Sequence, residues 1–154
     1  MKNISTELVS VAKGEIGKHE IPLGSNWGTH VRKYLSSVGI NFPASWCMAF
    51  VYWCIDEVCK SKGVKNTLPK TGGVLRFWNE APAEIRVQVP KVGDIFIMDF
   101  GKGLGHTGIV IAMDQTFIYT IEGNTNASGS REGIEVCYKQ RPRNKIKGYV
   151  RPMV

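Results

Sequence analysis

The hydrophobic pattern of the chain changes once, near Pro90. Before this residue, apolar side chains recur every three or four positions, which is the spacing of an amphipathic helix. After it, they fall into short β-rich runs separated by turn segments such as Gly101-Lys102-Gly103 and Asp114-Gln115-Thr116. Since helices followed by consecutive hairpins form an α+β arrangement, the sequence predicts N-terminal helices packed on a C-terminal antiparallel β-sheet.

The predicted elements end at residues that favour helix or strand boundaries. Helices are expected from Ser5 or Thr6 to Gly17, from after Ser25 or Asn26 to Gly39, from about Trp46 to Lys62, and after Gly72-Gly73. Strands are expected over Asp94–Phe100, His106–Met113, Phe117–Glu122 and Gly133–Tyr138, and near Lys147–Arg151. The third helix has the clearest limits, with Ser45 as its expected N-cap and Gly63 as its expected C-cap.

Length and composition indicate one domain over residues 1–154. The 154 residues fit a domain of roughly 100–200 residues. A content of 43% hydrophobic and 21% charged residues excludes collagen, a long coiled coil and general disorder. The longest apolar run, from Cys47 to Ile55, is too short for a bilayer crossing of about 20 residues, and no apolar signal-peptide segment follows Lys2. We therefore expect a protein made in the cytoplasm without stable membrane insertion.

The charge of the chain is basic and unevenly distributed. Lys and Arg number 20 against 13 Asp and Glu, for a net charge of +7. Every acid lies at or before Glu135, and six basic residues follow it unopposed: Lys139, Arg141, Arg143, Lys145, Lys147 and Arg151. Such a tail favours an anionic partner, namely nucleic acid, an envelope polymer or a lipid surface. Because the charges alternate at period two, a solvated strand face explains them equally well, and both interpretations stay open.

The four cysteines do not have the spacing of a metal site. Cys47, Cys54, Cys59 and Cys137 form no C-x-x-C pair, and the chain has only three histidines, so we do not expect a structural zinc site. In a reducing compartment we expect free thiols, most of them acting as small buried hydrophobes. No metal and no cofactor is expected.

Cys47 differs from the other cysteines because it falls in the first turn of the third predicted helix. Unpaired N–H groups and the helix dipole favour a thiolate there, and a nearby imidazolium lowers the pKa of the thiol further. With Ser45 as N-cap, the Cys47 N–H has no partner within the helix and is a candidate oxyanion donor. The alternative is a core cysteine at a helix start.

His106 is the only one of the three histidines in a predicted strand, between Gly105 and Gly108. Its opposite residue depends on the turn of the hairpin. A turn centred on Asp114 places Glu122 opposite His106, and one centred on Gln115 places Asn124 there, with all three side chains on one face. A turn centred between Asp114 and Gln115 sends Glu122 and Asn124 to the other face. In the first two registers the chain has a nucleophile, a base and an orienting group in the order Cys, His, carboxylate.

Four strings of residues resemble segments of the CHAP family, the cysteine- and histidine-dependent amidohydrolases/peptidases of bacterial cell walls. The likeness runs in the order of the family from about Leu8 to Val150. The strings are Trp46-Cys47-Met48-Ala49-Phe50-Val51-Tyr52-Trp53-Cys54, Pro90-Lys91-Val92-Gly93-Asp94-Ile95-Phe96, Gly105-His106-Thr107-Gly108-Ile109-Val110 and Ile121-Glu122-Gly123-Asn124-Thr125-Asn126.

The resemblance implies a papain-like α+β fold with Cys47 as nucleophile, His106 as base, Glu122 as orienting residue and Asn124 as accessory polar group. It also implies hydrolysis of a peptidoglycan amide through a cysteine thioester. Some phage members carry an acidic calcium loop before the cysteine, but residues 41–46 contain no acid, so we expect no metal. From its length we expect no separate wall-binding module, so the basic tail or a delivery system would supply attraction to the wall.

Under this interpretation the expected binding partner is peptidoglycan, and an immunity or delivery protein is a further candidate. We do not expect binding to nucleic acid. We expect a monomer that acts at the cell wall or in the periplasm after phage lysis or secretion, as an endolysin or a secreted effector. The competing hypothesis is a non-catalytic basic module that binds the envelope or nucleic acid. Tyr138 and Tyr149 are the only aromatic residues near its basic tail, which is a thin platform for stacking bases.

Overall fold

The computed structural model describes residues 1–125 and 133–154, and in this part of the chain four α-helices precede a six-stranded sheet. The helices are α1 (Ser5–Lys13), α2 (Thr29–Ser37), α3 (Cys47–Lys62) and α4 (Val74–Glu80). The strands are β1 (Arg86–Val87), β2 (Ile95–Gly101), β3 (Leu104–Met113), β4 (Phe117–Thr125), β5 (Glu135–Pro142) and β6 (Gly148–Val150). The predicted α+β class is confirmed.

The sheet has the order β1-β6-β2-β3-β4-β5, and its neighbouring strands pair antiparallel. Strands β2 to β5 follow one another as predicted hairpins, while β6 returns to lie between β1 and β2. Strand β1 is not predicted from the sequence. It contains two residues, too few to show an alternating pattern, and it forms only because β6 lies beside it.

Helix α3 lies at the centre of the core. Ten of its sixteen residues are buried, and it packs against α1, α2, β3 and β4. Ile109 and Ile121, which pair across β3 and β4, face this helical core. Side chains alternate across a strand, so Val110, the neighbour of Ile109, points to the other face. There it belongs with Phe96 and Ile118 to a second, smaller apolar cluster.

The predicted N-caps of the first and third helices are wrong. The N-cap of α1 is Ile4 instead of Ser5 or Thr6, and that of α3 is Trp46 instead of Ser45. Neither cap residue makes a side-chain hydrogen bond to its helix. Burial explains the choice, because Ile4 and Trp46 are both completely buried and tertiary packing therefore outweighs capping preference. The predicted C-cap Gly63 is confirmed, with a left-handed φ of 67°.

Two helices are shorter than expected. Helix α1 ends at Lys13 and the chain reaches Gly17 through turns. Helix α2 begins at Thr29, later than expected, because Asn26 and Gly28 have φ values of 56° and 111°. Backbone in this left-handed region does not continue a right-handed helix.

The two ends of the chain pair with each other. The Lys2 N–H donates to the Val154 carbonyl oxygen at 2.7 Å, and the Val154 N–H donates to the Lys2 carbonyl oxygen at 3.0 Å. Together with Lys62 and Val64 they line a surface depression beside the C-terminal end of α3. Within residues 1–125 and 133–154, no helix combines the length and apolarity that a membrane crossing requires.

The basic tail is not unopposed, contrary to the expectation from residue order. Arg151 donates to both carboxylate oxygens of the fully buried Asp94, at 3.0 and 2.8 Å. Lys147 lies 3.8 Å from Asp99, and Arg141 binds Glu122. The acids come from earlier strands that the antiparallel sheet brings beside β5 and β6, so pairing in space does not follow order along the chain.

Candidate active site

Cys47 is the first residue of α3 and its side chain is buried, with 3% of the residue exposed. The hydrogen-bond ladder of the helix begins at the Phe50 N–H, which donates to the Trp46 carbonyl oxygen at 2.9 Å. The N–H groups of the first turn, including that of Cys47, therefore lie ahead of the ladder, at the positive end of the helix dipole. Although the N-cap is Trp46 and not Ser45, Cys47 still lies in the first turn of the helix, as predicted.

His106 on β3 and Glu122 on β4 form a buried pair. The imidazole Nε2 lies 2.7 Å from Glu122 Oε1, and both residues are completely buried. Since Glu122 occupies Nε2, the other ring nitrogen, Nδ1, is the one left to interact with the Cys47 thiol. The structure thus places Glu122 in contact with His106, and Cys47 close enough to His106 to raise the pKa of the imidazole.

The register of β3 and β4 explains how the carboxylate reaches the imidazole. Near the site, Ile109 pairs with Ile121 and Val110 with Thr120. An irregularity between Val110 and Ala112 gives the part of the hairpin nearer the turn a different register. If the register of the pairs Ile109–Ile121 and Val110–Thr120 is extended toward the site, Gly108 lies opposite Glu122 and His106 opposite Asn124. Glu122 therefore approaches His106 along the diagonal between strands.

Gly108 provides the space that Glu122 needs. A Cβ atom at this position would lie 2.7 Å from Glu122 Cγ, well inside van der Waals contact. The sequence motif around His106 thus contains a glycine for a steric reason, since the carboxylate crosses directly over the strand that carries the histidine.

Asn124 lies two residues after Glu122 on β4 and is completely buried, with a φ of 55°. The imidazole Nε2 of His106 is bound by the carboxylate of Glu122. Asn126, the last residue of the fourth resemblance string, lies outside the described residues.

Two further groups hold Glu122, and sequence reasoning missed both. Thr120 donates to Oε2 at 2.7 Å, and Arg141 on β5 donates to Oε2 from Nε at 2.9 Å and to Oε1 from Nη2 at 2.5 Å. The period-two basic residues of β5 were the available signal. The period-two spacing correctly indicates that these residues share one face of a strand. It does not identify Glu122 as the partner of Arg141, which requires knowing that β5 lies beside β4.

These contacts oppose the effect of burial on both members of the pair. Burial lowers the pKa of His106, but hydrogen bonds with Cys47 and Glu122 outweigh it and raise the pKa to about 9. Burial raises the pKa of Glu122, but hydrogen bonds from Arg141 and His106 outweigh it and lower the pKa to about 2. The pair is therefore an imidazolium beside a carboxylate at neutral pH, and an imidazolium beside Cys47 favours its thiolate.

The other three cysteines lack this environment. All four are free thiols, and Cys54 and Cys59 are buried within α3. Burial raises the pKa of both, and it raises the pKa of Cys137 to about 11. These three thiols are therefore protonated at neutral pH and are poor nucleophiles.

The residue before Cys47 is held from two sides. The Trp46 Nε1 donates to Glu20 Oε2 at 2.8 Å, while Glu20 Oε1 accepts from the Gly24 N–H at 2.8 Å. Below the helix start lies Gly123, where a Cβ atom would be 2.8 Å from both Trp46 Cζ3 and Phe50 Cβ. Sequence reasoning assigned no role to Glu20 or Gly123. In the structure they set the position of the first turn of α3.

Metal ligation has no visible basis in the described part of the chain. Over residues 1–125 and 133–154, no group of three His, Cys, Asp or Glu side chains comes together in a way that could hold a metal ion.

A cysteine at a helix start beside a histidine and a carboxylate from an antiparallel sheet defines the class of cysteine- and histidine-dependent hydrolases. The family model of the CHAP domain matches residues 39–124, more than half of the chain, and the chain belongs to this family. Family membership implies hydrolase activity of the amidase or peptidase type. The matched range contains Cys47, His106, Glu122 and Asn124 and ends before Arg141. Searches of curated proteins and of solved structures found no match.

Proposed function

We propose that the protein hydrolyses an amide bond of peptidoglycan, in the stem peptide, its crossbridge or its link to the sugar, through a thioester on Cys47. The buried series Cys47–His106–Glu122 carries this proposal. It supplies a thiol beside an imidazolium and a carboxylate that binds the imidazole, and the CHAP family is one of cell-wall amidohydrolases and peptidases.

In the acylation half of the reaction, the thiolate of Cys47 attacks the amide carbonyl carbon and forms a tetrahedral intermediate. The N–H groups at the start of α3 donate to the developing oxyanion. His106 then transfers its Nδ1 proton to the leaving nitrogen, the C–N bond breaks, and an amine leaves behind a thioester.

In the deacylation half, neutral His106 accepts a proton from water as the water oxygen attacks the thioester. The C–S bond breaks, the carboxylic acid product leaves and releases its proton to solvent, and the thiolate–imidazolium pair is restored. Glu122 stays ionised throughout, orienting the imidazole through Nε2 and stabilising its charged form.

The competing hypothesis of a non-catalytic basic module loses support from the pairing of its charges. Arg141 and Arg151 bind Glu122 and Asp94 inside the sheet, so they are not available for an anionic polymer. The net charge of +7 still favours attraction to an anionic wall, where the protein would meet its substrate after lysis or secretion.

Digestion of purified sacculi tests the proposal. We expect the protein to release new amino groups, and mass spectrometry of the soluble fragments to identify the bond that is cut. Cys47→Ala and His106→Ala should each abolish release while keeping the far-UV circular dichroism spectrum. Cys59→Ala, a substitution of a buried cysteine on the same helix, is the matched control and should remain active. Release by the Cys47→Ala variant at the wild-type rate would reject the mechanism.

A further inference from the structure

We propose that Arg141 is a positioning residue of the active site, which fixes the Glu122 carboxylate against His106 and extends the series to Cys47–His106–Glu122–Arg141. The inference rests on the proposed function, since it assigns a role within the same reaction. Arg141 lies beyond residues 39–124, so the match to the family model does not include it.

The geometry is that of a two-point clamp. Arg141 donates from Nε to Glu122 Oε2 at 2.9 Å and from Nη2 to Glu122 Oε1 at 2.5 Å. Glu122 is completely buried and only 12% of the Arg141 side chain is exposed, so water competes little for these bonds. Two parallel N–H···O bonds fix the plane of a carboxylate, which a single ammonium group cannot do.

The clamp acts on the oxygen that the imidazole uses. Glu122 Oε1 accepts from Arg141 and lies 2.7 Å from Nε2 of His106, while Oε2 accepts from Arg141 and Thr120. A carboxylate held at both oxygens cannot turn away when the imidazole loses and regains its proton. Since the direction of Nδ1 depends on the bond at Nε2, Arg141 controls the aim of His106 toward Cys47.

Arg141 also keeps Glu122 ionised. The groups that face this carboxylate are His106 from β3, Thr120 from β4, and Arg141 and Cys137 from β5, with Cys47 of α3 acting through His106. Of these described groups, only Arg141 carries a positive charge at every relevant pH. Without it, burial would raise the pKa of Glu122 toward the range in which the enzyme works.

The test compares Arg141→Gln and Arg141→Lys with the wild type and with Arg143→Gln as matched control. Arg143 lies two residues further along the chain and donates to the Asp114 carbonyl oxygen, away from Glu122. The first readout needs no substrate: the rate at which iodoacetamide alkylates Cys47, followed by peptide mass spectrometry from pH 3 to pH 10. The second is kcat and KM on a peptidoglycan fragment that the wild type cleaves.

In Arg141→Gln we expect the acid limb of the alkylation profile to move up by about one pH unit or more, because Glu122 then takes up a proton more easily. We expect kcat to fall about tenfold or more, with KM within about twofold, because orientation of His106 matters in the transition state. Arg141→Lys should keep the acid limb near that of the wild type but recover only part of kcat, since it keeps the charge and loses the clamp. Arg143→Gln should match the wild type.

A double variant separates positioning from other roles. If Arg141 acts through Glu122, Arg141→Gln should change kcat less than about twofold in a Glu122→Gln background. The double variant has no charge at either position 122 or position 141, so it avoids leaving a buried carboxylate unpaired. It can therefore be measured even if Arg141→Gln alone does not fold. Unchanged profiles and kcat in both single variants, or full additivity in the double variant, would overturn the inference. Wild-type protein that cleaves no peptidoglycan would reject the proposed function, while the alkylation profiles would still decide the role of Arg141.

Discussion

Replacing Gly123 by alanine should push α3, the helix that carries Cys47, away from the sheet. The new Cβ would lie 2.8 Å from Trp46 Cζ3, 2.8 Å from Phe50 Cβ and 2.9 Å from Phe50 Cγ. These atoms belong to the start of α3, where Cys47 lies, and Glu122 is the neighbour of Gly123 on β4. The substitution therefore changes the distance between the two halves of the site without removing any reactive group.

The size of the effect follows from the contact distances. Carbon atoms pack best at about 3.5–4.0 Å, so relief of the clash needs a shift of about 0.7–1.2 Å. A misplacement of about 1 Å at a reacting centre can reduce the rate about a hundredfold. Overpacking of a close-packed core costs about 1–3 kcal/mol of unfolding free energy. We expect both losses in Gly123→Ala.

Urea unfolding gives the free energy, and alkylation of Cys47 by iodoacetamide at pH 6 measures the thiolate that His106 maintains. Gly14→Ala is the matched control, because its Cβ would meet its nearest atom at 3.4 Å and its backbone is in the right-handed helical region. If Gly123→Ala matched the wild type in stability and alkylation rate, the argument that this glycine sets the position of α3 would be refuted.

Three other perturbations test the site. The hydrolysis rate should fall as the pH rises through about 9 instead of 6.5, because the raised pKa of His106 keeps its proton available for the leaving amine; a pH profile from 6 to 10.5 measures this. Glu122→Gln should reduce kcat more than Asn124→Ala, since His106 binds Glu122, and the reverse ranking would assign the orienting role to Asn124. Glu20→Ala should lose about 1–3 kcal/mol in urea unfolding, because the buried Trp46 Nε1 loses its acceptor; an unchanged midpoint would contradict this.

The elements that carry the chemistry could be predicted because each has a local signal. Helix α3 has a continuous apolar stretch and a C-cap glycine, and its observed end at Lys62 agrees with the prediction. Strands β3 and β4 are β-rich runs separated by the turn segment Asp114-Gln115-Thr116, which was enough to predict their type but not the exact centre of the turn. Counting residues back from the turn then left two candidates for the residue opposite His106, namely Glu122 and Asn124.

What could not be predicted depends on contacts between distant parts of the chain. The N-cap of α3 is Trp46 because its ring is buried and bonded to Glu20, which lies 26 residues earlier. Glu122 reaches His106 diagonally because Gly108 leaves room, and periodicity contains no such steric detail. Arg141 was assigned only to the basic tail, beyond the predicted strand Gly133–Tyr138, and its partner Glu122 lies 19 residues away on the neighbouring strand.

The pairing of Lys2 with Val154 has a practical consequence for handling the protein. Both termini lie beside Lys62, at the far end of α3 from Cys47. A helix of 16 residues is about 24 Å long, so a tag, resin or fused targeting module attached at either terminus would start about that far from Cys47. Immobilised by either end, the protein should keep the Cys47 end of α3 remote from the point of attachment, and the adjacent termini would also suit a circular permutant.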